Sequence, residues 1–125
     1  MTHLPIHKTS VFVALLLAFF VVGLLTPMPS TAAEDEAAIE LGKNRFGEKC
    51  GGFCHGAGGK GARAPCLICG TFRHGETDDA IARNISDGIP GTAMGAFNDK
   101  LSPEEVKAVV VFLRTQQKKK AEAVQ

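Results

Sequence analysis

Cys50, Cys54 and His55 stand together in the stretch CGGFCH, and Cys66 and Cys69 follow in CLIC. Thiolate and imidazole are ligands for transition metals, so this cluster points to metal or haem chemistry. Covalent haem attachment uses C-x-x-C-H. Two thiols add to the porphyrin vinyl groups, and the adjoining histidine is left facing the iron. Here Gly51, Gly52 and Phe53 make the spacer one residue longer. On a helix, spacing i to i+4 still leaves both thiols on one face, and the two glycines give the backbone freedom to bulge. The same four cysteines also read C-x3-C-x11-C-x2-C, which resembles a four-cysteine structural zinc module. Two readings therefore start level: a haem site with an extra residue, and a zinc clip.

The rest of the ligand inventory separates them. From Glu34 onward, His74 is the only other histidine and Met94 the only methionine, and the chain has no Trp or Tyr. Two thiols, an adjacent histidine and a distant methionine are what a haem iron with His/Met axial ligation needs. The thioether ligand raises the reduction potential. A lone methionine is more often core filler. Met94, however, lies in the turn-forming stretch GIPGTAMGAF, a poor place for filler and a good one for a ligand that must reach. Zinc leaves His55 and Met94 without a role, and zinc ribbons prefer hairpins, which no alternating run here supports. A haem enzyme or gas sensor needs an open coordination position, and Met94 argues against that. A thiol oxidoreductase would sit on a βαβ pattern, which is missing.

Three helices must position these groups. Residues 34–49 open acidic, as a helix N-terminus favours, and Ile39, Gly42 and Phe46 share one face. A glycine on that face lets another helix approach closely. The glycines from Gly51 to Gly61 then predict a loop with no regular element. Residues 78–87 form a second helix, with Thr77 as cap, Asp78 and Asp79 in the first turn, Ile81 and Ile85 on its apolar face, and Gly88 ending it. The last helix is the best marked. Ser102 caps it, Pro103 takes the first position and Glu105 closes a capping box. Val106, Val109, Val110 and Leu113 form its buried stripe, with Phe112 beside them, and it should fray in TQQKKK. The fold class is all-α with long loops, and long loops in a small domain need something to wrap around.

The first third of the 125 residues is different. Residues 11–25 are uncharged and apolar, follow a weakly basic start with Lys8, and precede Ala32 and Ala33. That order reads as a secretory signal peptide over residues 1–33, with an uncleaved membrane anchor as the alternative. The apolar run is short of the roughly 20 residues that span a bilayer. The remainder divides into a domain over 34–117 and a basic, flexible tail over 118–125. It carries 13 basic and 13 acidic residues, a balance that speaks against general nucleic-acid binding. Export favours disulfides among the cysteines. Cys66 and Cys69, which haem does not require, read as a local disulfide that stiffens the loop or as two inert thiols or, against both, as a redox-active pair.

From about Ala38 to Arg114 the chain resembles a small bacterial monohaem c-type cytochrome of class I. CGGFCHG, GKGARAPCLICGTFRHG, GIPGTAMGAF and LSPEEVKAVVVFLR occur in that order. The resemblance implies the cytochrome c fold, small helices and long loops around one covalently attached haem c. It implies thioethers at Cys50 and Cys54, His55 as proximal iron ligand and Met94 as distal ligand. It also implies that the Pro65 carbonyl accepts from the His55 ring, that Leu67 packs on the haem and that Arg73 reaches a propionate. The first and last helices would cross at Gly42, Phe46 and Phe112. A single thioether at Cys54 is the alternative that the long spacer leaves open. The implied role is a one-electron carrier and not an enzyme, a periplasmic monomer. A dehydrogenase would be its donor and an oxidase or other cytochrome its acceptor, with Lys49 and Lys60 steering an acidic partner.

Overall fold

The protein was analysed as a computed structural model that describes residues 31–125. The apolar run of the expected signal segment lies outside the described residues. Among the described residues the chain is all-helical, without a strand. Helix α1 spans Thr31–Phe46 and passes directly into π-helical turns over Gly47–His55. A short 3-10 turn, Ala57–Gly59, follows. Helix α2 spans Asp78–Asp87 and helix α3 spans Pro103–Glu122.

The α2 and α3 starts form as their caps dictate. Thr77 Oγ1 accepts the Ala80 N–H at 3.2 Å. Ser102 Oγ accepts the Glu105 N–H at 3.3 Å while Glu105 Oε2 accepts the Ser102 N–H at 2.8 Å, the reciprocal pair of a capping box. At the far end of α2, Gly88 adopts φ 77°. The Phe97 N–H donates back to the Ile85 and Ser86 carbonyls, closing the helix end.

Two expectations need correction. Gly51 and Gly52 are not in an irregular loop: they continue the helix in π geometry. The 61–64 segment supplies donors to the carbonyls at the end of those turns, which offsets the low helix propensity of glycine. Nor does α3 fray at TQQKKK; it runs through the lysines to Glu122. Long-range anchors hold its last turns. Gln117 Nε2 donates to the Leu67 carbonyl at 3.1 Å. Arg114 Nε donates to Asp78 at 2.8 Å, and its other arm donates to the Glu76 carbonyl.

The core sits where α1 crosses α3. Gly42 is buried, and a Cβ built on it would fall 1.9 Å from the Ala108 carbonyl oxygen. The helix backbones are therefore in near contact there. Just beyond, the Phe46 and Phe112 rings meet with centroids 5.4 Å apart and planes inclined by 44°. Phe46 and Val109 are the most deeply buried large side chains. Each contributes about 1.5–3 kcal/mol by burial. Ile81 and Ile85 of α2 complete this core.

Candidate functional site

On one side the core opens into a cavity of about 730 Å³, within the roughly 300–1,000 Å³ range of pockets that hold cofactors. Its floor is apolar, made by Phe46, Ile81, Ile85, Val109 and Leu113. Cys50, Cys54 and His55, from one short stretch, and the distant Met94 all line this one cavity.

The π-helical turns place the first three. Cys50 is buried and Cys54 is exposed, and both are free thiols. Burial, and secondly the neighbouring Cys54, push the Cys50 thiol up to about 11, so it stays protonated at neutral pH. His55 closes the segment and is only 9% exposed. The chain then doubles back. The Gly61 N–H donates to the His55 carbonyl at 2.7 Å and the Ala64 N–H to the Cys54 carbonyl at 2.9 Å. Those bonds satisfy the helix end and carry Pro65 over the imidazole. His55 Nδ1 lies 3.1 Å from the Pro65 carbonyl oxygen. A carbonyl only accepts, so Nδ1 carries the proton in this contact, and in the neutral ring Nε2 then keeps its lone pair. That is the tautomer a metal ligand needs, held by a second contact of the kind that orients ligating histidines.

Met94 comes from the loop after α2. Thr92 Oγ1 donates to the Ile89 carbonyl at 2.8 Å and accepts the Met94 N–H at 3.1 Å, while the Ile89 N–H donates to the Met94 carbonyl at 2.9 Å. A closed turn therefore fixes the Met94 backbone, and its side chain packs half-buried against the core. Leu67 also packs against the core, and Arg73 and His74 stand at the cavity wall. Asn84 Nδ2 donates to the His74 carbonyl at 2.9 Å and holds that stretch to α2.

Cys66 and Cys69 are joined by a disulfide. Among the described residues no three His, Cys, Asp or Glu side chains gather into a metal-holding group. With Cys66 and Cys69 bonded to each other, the four cysteines do not make one set of thiol ligands. Two free thiols, an imidazole with its Nε2 lone pair available, a thioether and apolar walls instead fit a haem.

Some lining residues escaped the sequence reading. Ile81 and Ile85 read as a core face, and nothing local indicates that their side also meets a cavity. Phe72 and Asn84 line it as well. Phe53, inside the cysteine spacer, is 63% exposed, and the Arg63 guanidinium stacks 4.1 Å above its ring. The Phe–Arg pair had no signal beyond an apolar spacer residue.

A protein-family model described as cytochrome c oxidase, cbb3-type, subunit III matches residues 37–113. No curated protein matches the chain. Among solved structures, the crystal structure of cytochrome CL from the marine methylotrophic bacterium Methylophaga aminisulfidivorans MPT is similar, with a TM-score of 0.58 at 23% identity. The match covers 73% of this chain and 69% of that one. At this identity the likeness speaks for the fold, which is that of a cytochrome c.

Proposed function

The chain belongs to the cbb3-type cytochrome c oxidase subunit III family, as a class I c-type cytochrome, and on that ground we propose that it is an exported carrier of single electrons. The haem c that this family implies would be held by Cys50 and Cys54 through thioethers and by His55 and Met94 as axial ligands. When bound, it supplies an iron centre that takes up and releases one electron.

The observation that carries the reading is the His55 ring. It is buried at the wall of an apolar cavity, its Nδ1 is committed to the Pro65 carbonyl, and Met94 lines the same cavity. The protein's own residues then have distinct tasks. His55 presents Nε2, oriented by Pro65. Met94 presents a thioether from a turn pinned by Thr92. Phe46, Ile81, Ile85 and Val109 exclude water, and a dry, fixed ligand set keeps reorganisation small. Arg73, at the cavity wall, would meet a propionate.

Partners follow from the same reading. The donor is a periplasmic dehydrogenase, and the acceptor an oxidase or another cytochrome. The family's description, which names an oxidase subunit, favours the oxidase. Export rests on the 1–33 segment, with membrane attachment only if that segment is retained. Among the described residues no helix is long and apolar enough to cross a membrane. Lys49 and Lys60, both exposed near the cysteine pair, would steer an acidic partner.

The deciding experiment is a pyridine haemochrome spectrum of protein matured in a host with a cytochrome c assembly pathway, after acid–organic extraction. Haem retained with a two-thioether band supports the proposal. A band shifted toward one remaining vinyl reduces the attachment to Cys54. Loss of all haem on extraction refutes the covalent site and the carrier with it.

A further inference from the structure

Cys66 and Cys69 are the two cysteines that haem attachment leaves over. Their disulfide lies in the loop that follows Pro65, and both residues line the cavity. The bond is reachable from outside, since Cys69 is exposed and Cys66 half-buried. A distant segment is brought to it. Lys120 Nζ lies 3.0 Å from Cys69 Sγ. The turn before Lys120 is tied to the same loop by Gln117, which donates to the Leu67 carbonyl.

The ammonium discriminates between the two states of the pair. Disulfide sulfur is a weak, uncharged acceptor and gains little from it. A Cys69 thiolate gains a charge-assisted hydrogen bond, the interaction that lowers thiol pKa values elsewhere. A disulfide whose reduced form is stabilised is the more readily reduced one. The other charged groups nearby are Arg114, paired with Asp78, and Glu76, which lines a groove with Arg114 and Lys120, and Arg63 and Arg73, which line the cavity with Cys69; His74 lines it too. Glu76 and Asp78, the latter paired with Arg114, are the carboxylates among them, and the cations outnumber them, so the surroundings also favour an anion.

We propose that Cys66–Cys69 is a thiol–disulfide exchange site that accepts two electrons from a dithiol protein. A thiolate of the partner attacks exposed Cys69 Sγ, the Cys66–Cys69 bond breaks, and Cys66 leaves and takes up a proton. The partner's second thiol, on losing its proton, attacks the partner's own sulfur in the mixed disulfide. Cys69 then leaves as a thiolate beside Lys120. The partner ends as a disulfide and this chain as a dithiol. Lys120 acts in the second step, because a thiol of lower pKa leaves faster.

The test is a titration of the full holoprotein in glutathione redox buffers at pH 9 and at pH 6. Acid quenching and maleimide mass-tagging count the free thiols at Cys66 and Cys69, in the natural chain and in Lys120→Gln. Lys120 is exposed, so the substitution leaves the core intact. The pair should become a dithiol within the glutathione range. At pH 9, Lys120→Gln should lower the equilibrium constant for reduction by roughly fivefold, the effect of a charge-assisted contact on a thiol that is ionised there. At pH 6 the two curves should coincide, because the thiol is protonated in both. A pair that stays oxidised across the glutathione range overturns the proposal. So do curves that coincide at pH 9. The thiol count does not depend on electron transfer by the haem, so this outcome is separate from that of the carrier reading.

Discussion

Replacing Gly42 by alanine sets two opposed effects against each other, and the structure decides the sign. In an ordinary helix the change is stabilising by about 1 kcal/mol, because alanine loses less backbone entropy. Here the new Cβ would fall 1.9 Å from the Ala108 carbonyl oxygen, 2.5 Å from its carbon and 2.9 Å from Phe112 Cβ. That is roughly 1.5 Å short of ordinary contact. Two of those three atoms are backbone, so no side-chain rotation relieves the overlap. Helix α3 must move off α1, which pulls Phe112 from Phe46 and loosens Val109. Overpacking of a tight core costs about 1–3 kcal/mol, and a backbone obstacle places this site at or above the upper end. The net effect should be a loss of about 2 kcal/mol, or about 10 °C in Tm for a domain of this size. Thermal and urea unfolding of the holoprotein, followed by far-UV circular dichroism, measures it. A Gly42→Ala protein as stable as the natural one, or more stable, would show that the helices do not cross in this way.

Gly47→Ala is the matching control. Gly47 is exposed, has no positive φ, and its Cβ would meet nothing within 4 Å, so the same denaturation assay should show a gain of about 0.5–1 kcal/mol. Met94→Ala should lower the reduction potential and admit cyanide or carbon monoxide, read by potentiometry and optical titration; no change in either removes Met94 from the iron. His55→Ala should abolish stable holoprotein, and an unaltered haem spectrum would exclude His55 as the ligand. Glu105 is held below the usual carboxylate range by the Ser102 N–H and then by Arg45. Its folded pKa is depressed, so its contribution is complete above the ordinary value of about 4.3 and is lost as pH falls through the folded one. In acid titrations the natural chain should lose stability relative to Glu105→Gln across that window; parallel profiles refute the link.

The features legible in the sequence were those whose cause is local or lies in residue type. The start of α3 was readable because Ser102, Pro103 and Glu105 act within one turn. The ligand candidates Cys50, Cys54, His55 and Met94 stood out because few other groups in the chain can bind iron, and the fold brings all four to one cavity. Gly42 was readable because glycine on an apolar helix face has few other uses. The length of α3 was hidden, because its anchors at Leu67, Glu76 and Asp78 lie far away in sequence. A polar run such as TQQKKK carries no trace of them. The pairing of Cys66 with Cys69 was one of the readings the sequence left open, and loop geometry chose it. The π-helical turns were hidden too, since glycines signal a break unless distant donors complete the helix end.

Those turns account for the unusual spacer. A π turn bonds i to i+5, one residue more than an α turn, and C-x3-C-H is one residue longer than the usual attachment motif. Widening the backbone absorbs the insertion, so Cys50, Cys54 and His55 all stay at the cavity. The three spacer residues then have separate reasons to be what they are. Gly51 lies under the Phe46 ring, where an added Cβ would come within 3.1 Å. Gly52 faces outward, and Phe53 stands exposed beneath Arg63. Phe46 is thus held from both sides, by Phe112 across the helix crossing and by Gly51 below. A chain of contacts runs from Gly42 through Phe46 and Gly51 to the segment that carries both thiols and His55. Displacing α3 at Gly42 should therefore disturb the cavity wall as well as the core, so Gly42→Ala should lower haem retention during maturation in step with its loss of stability.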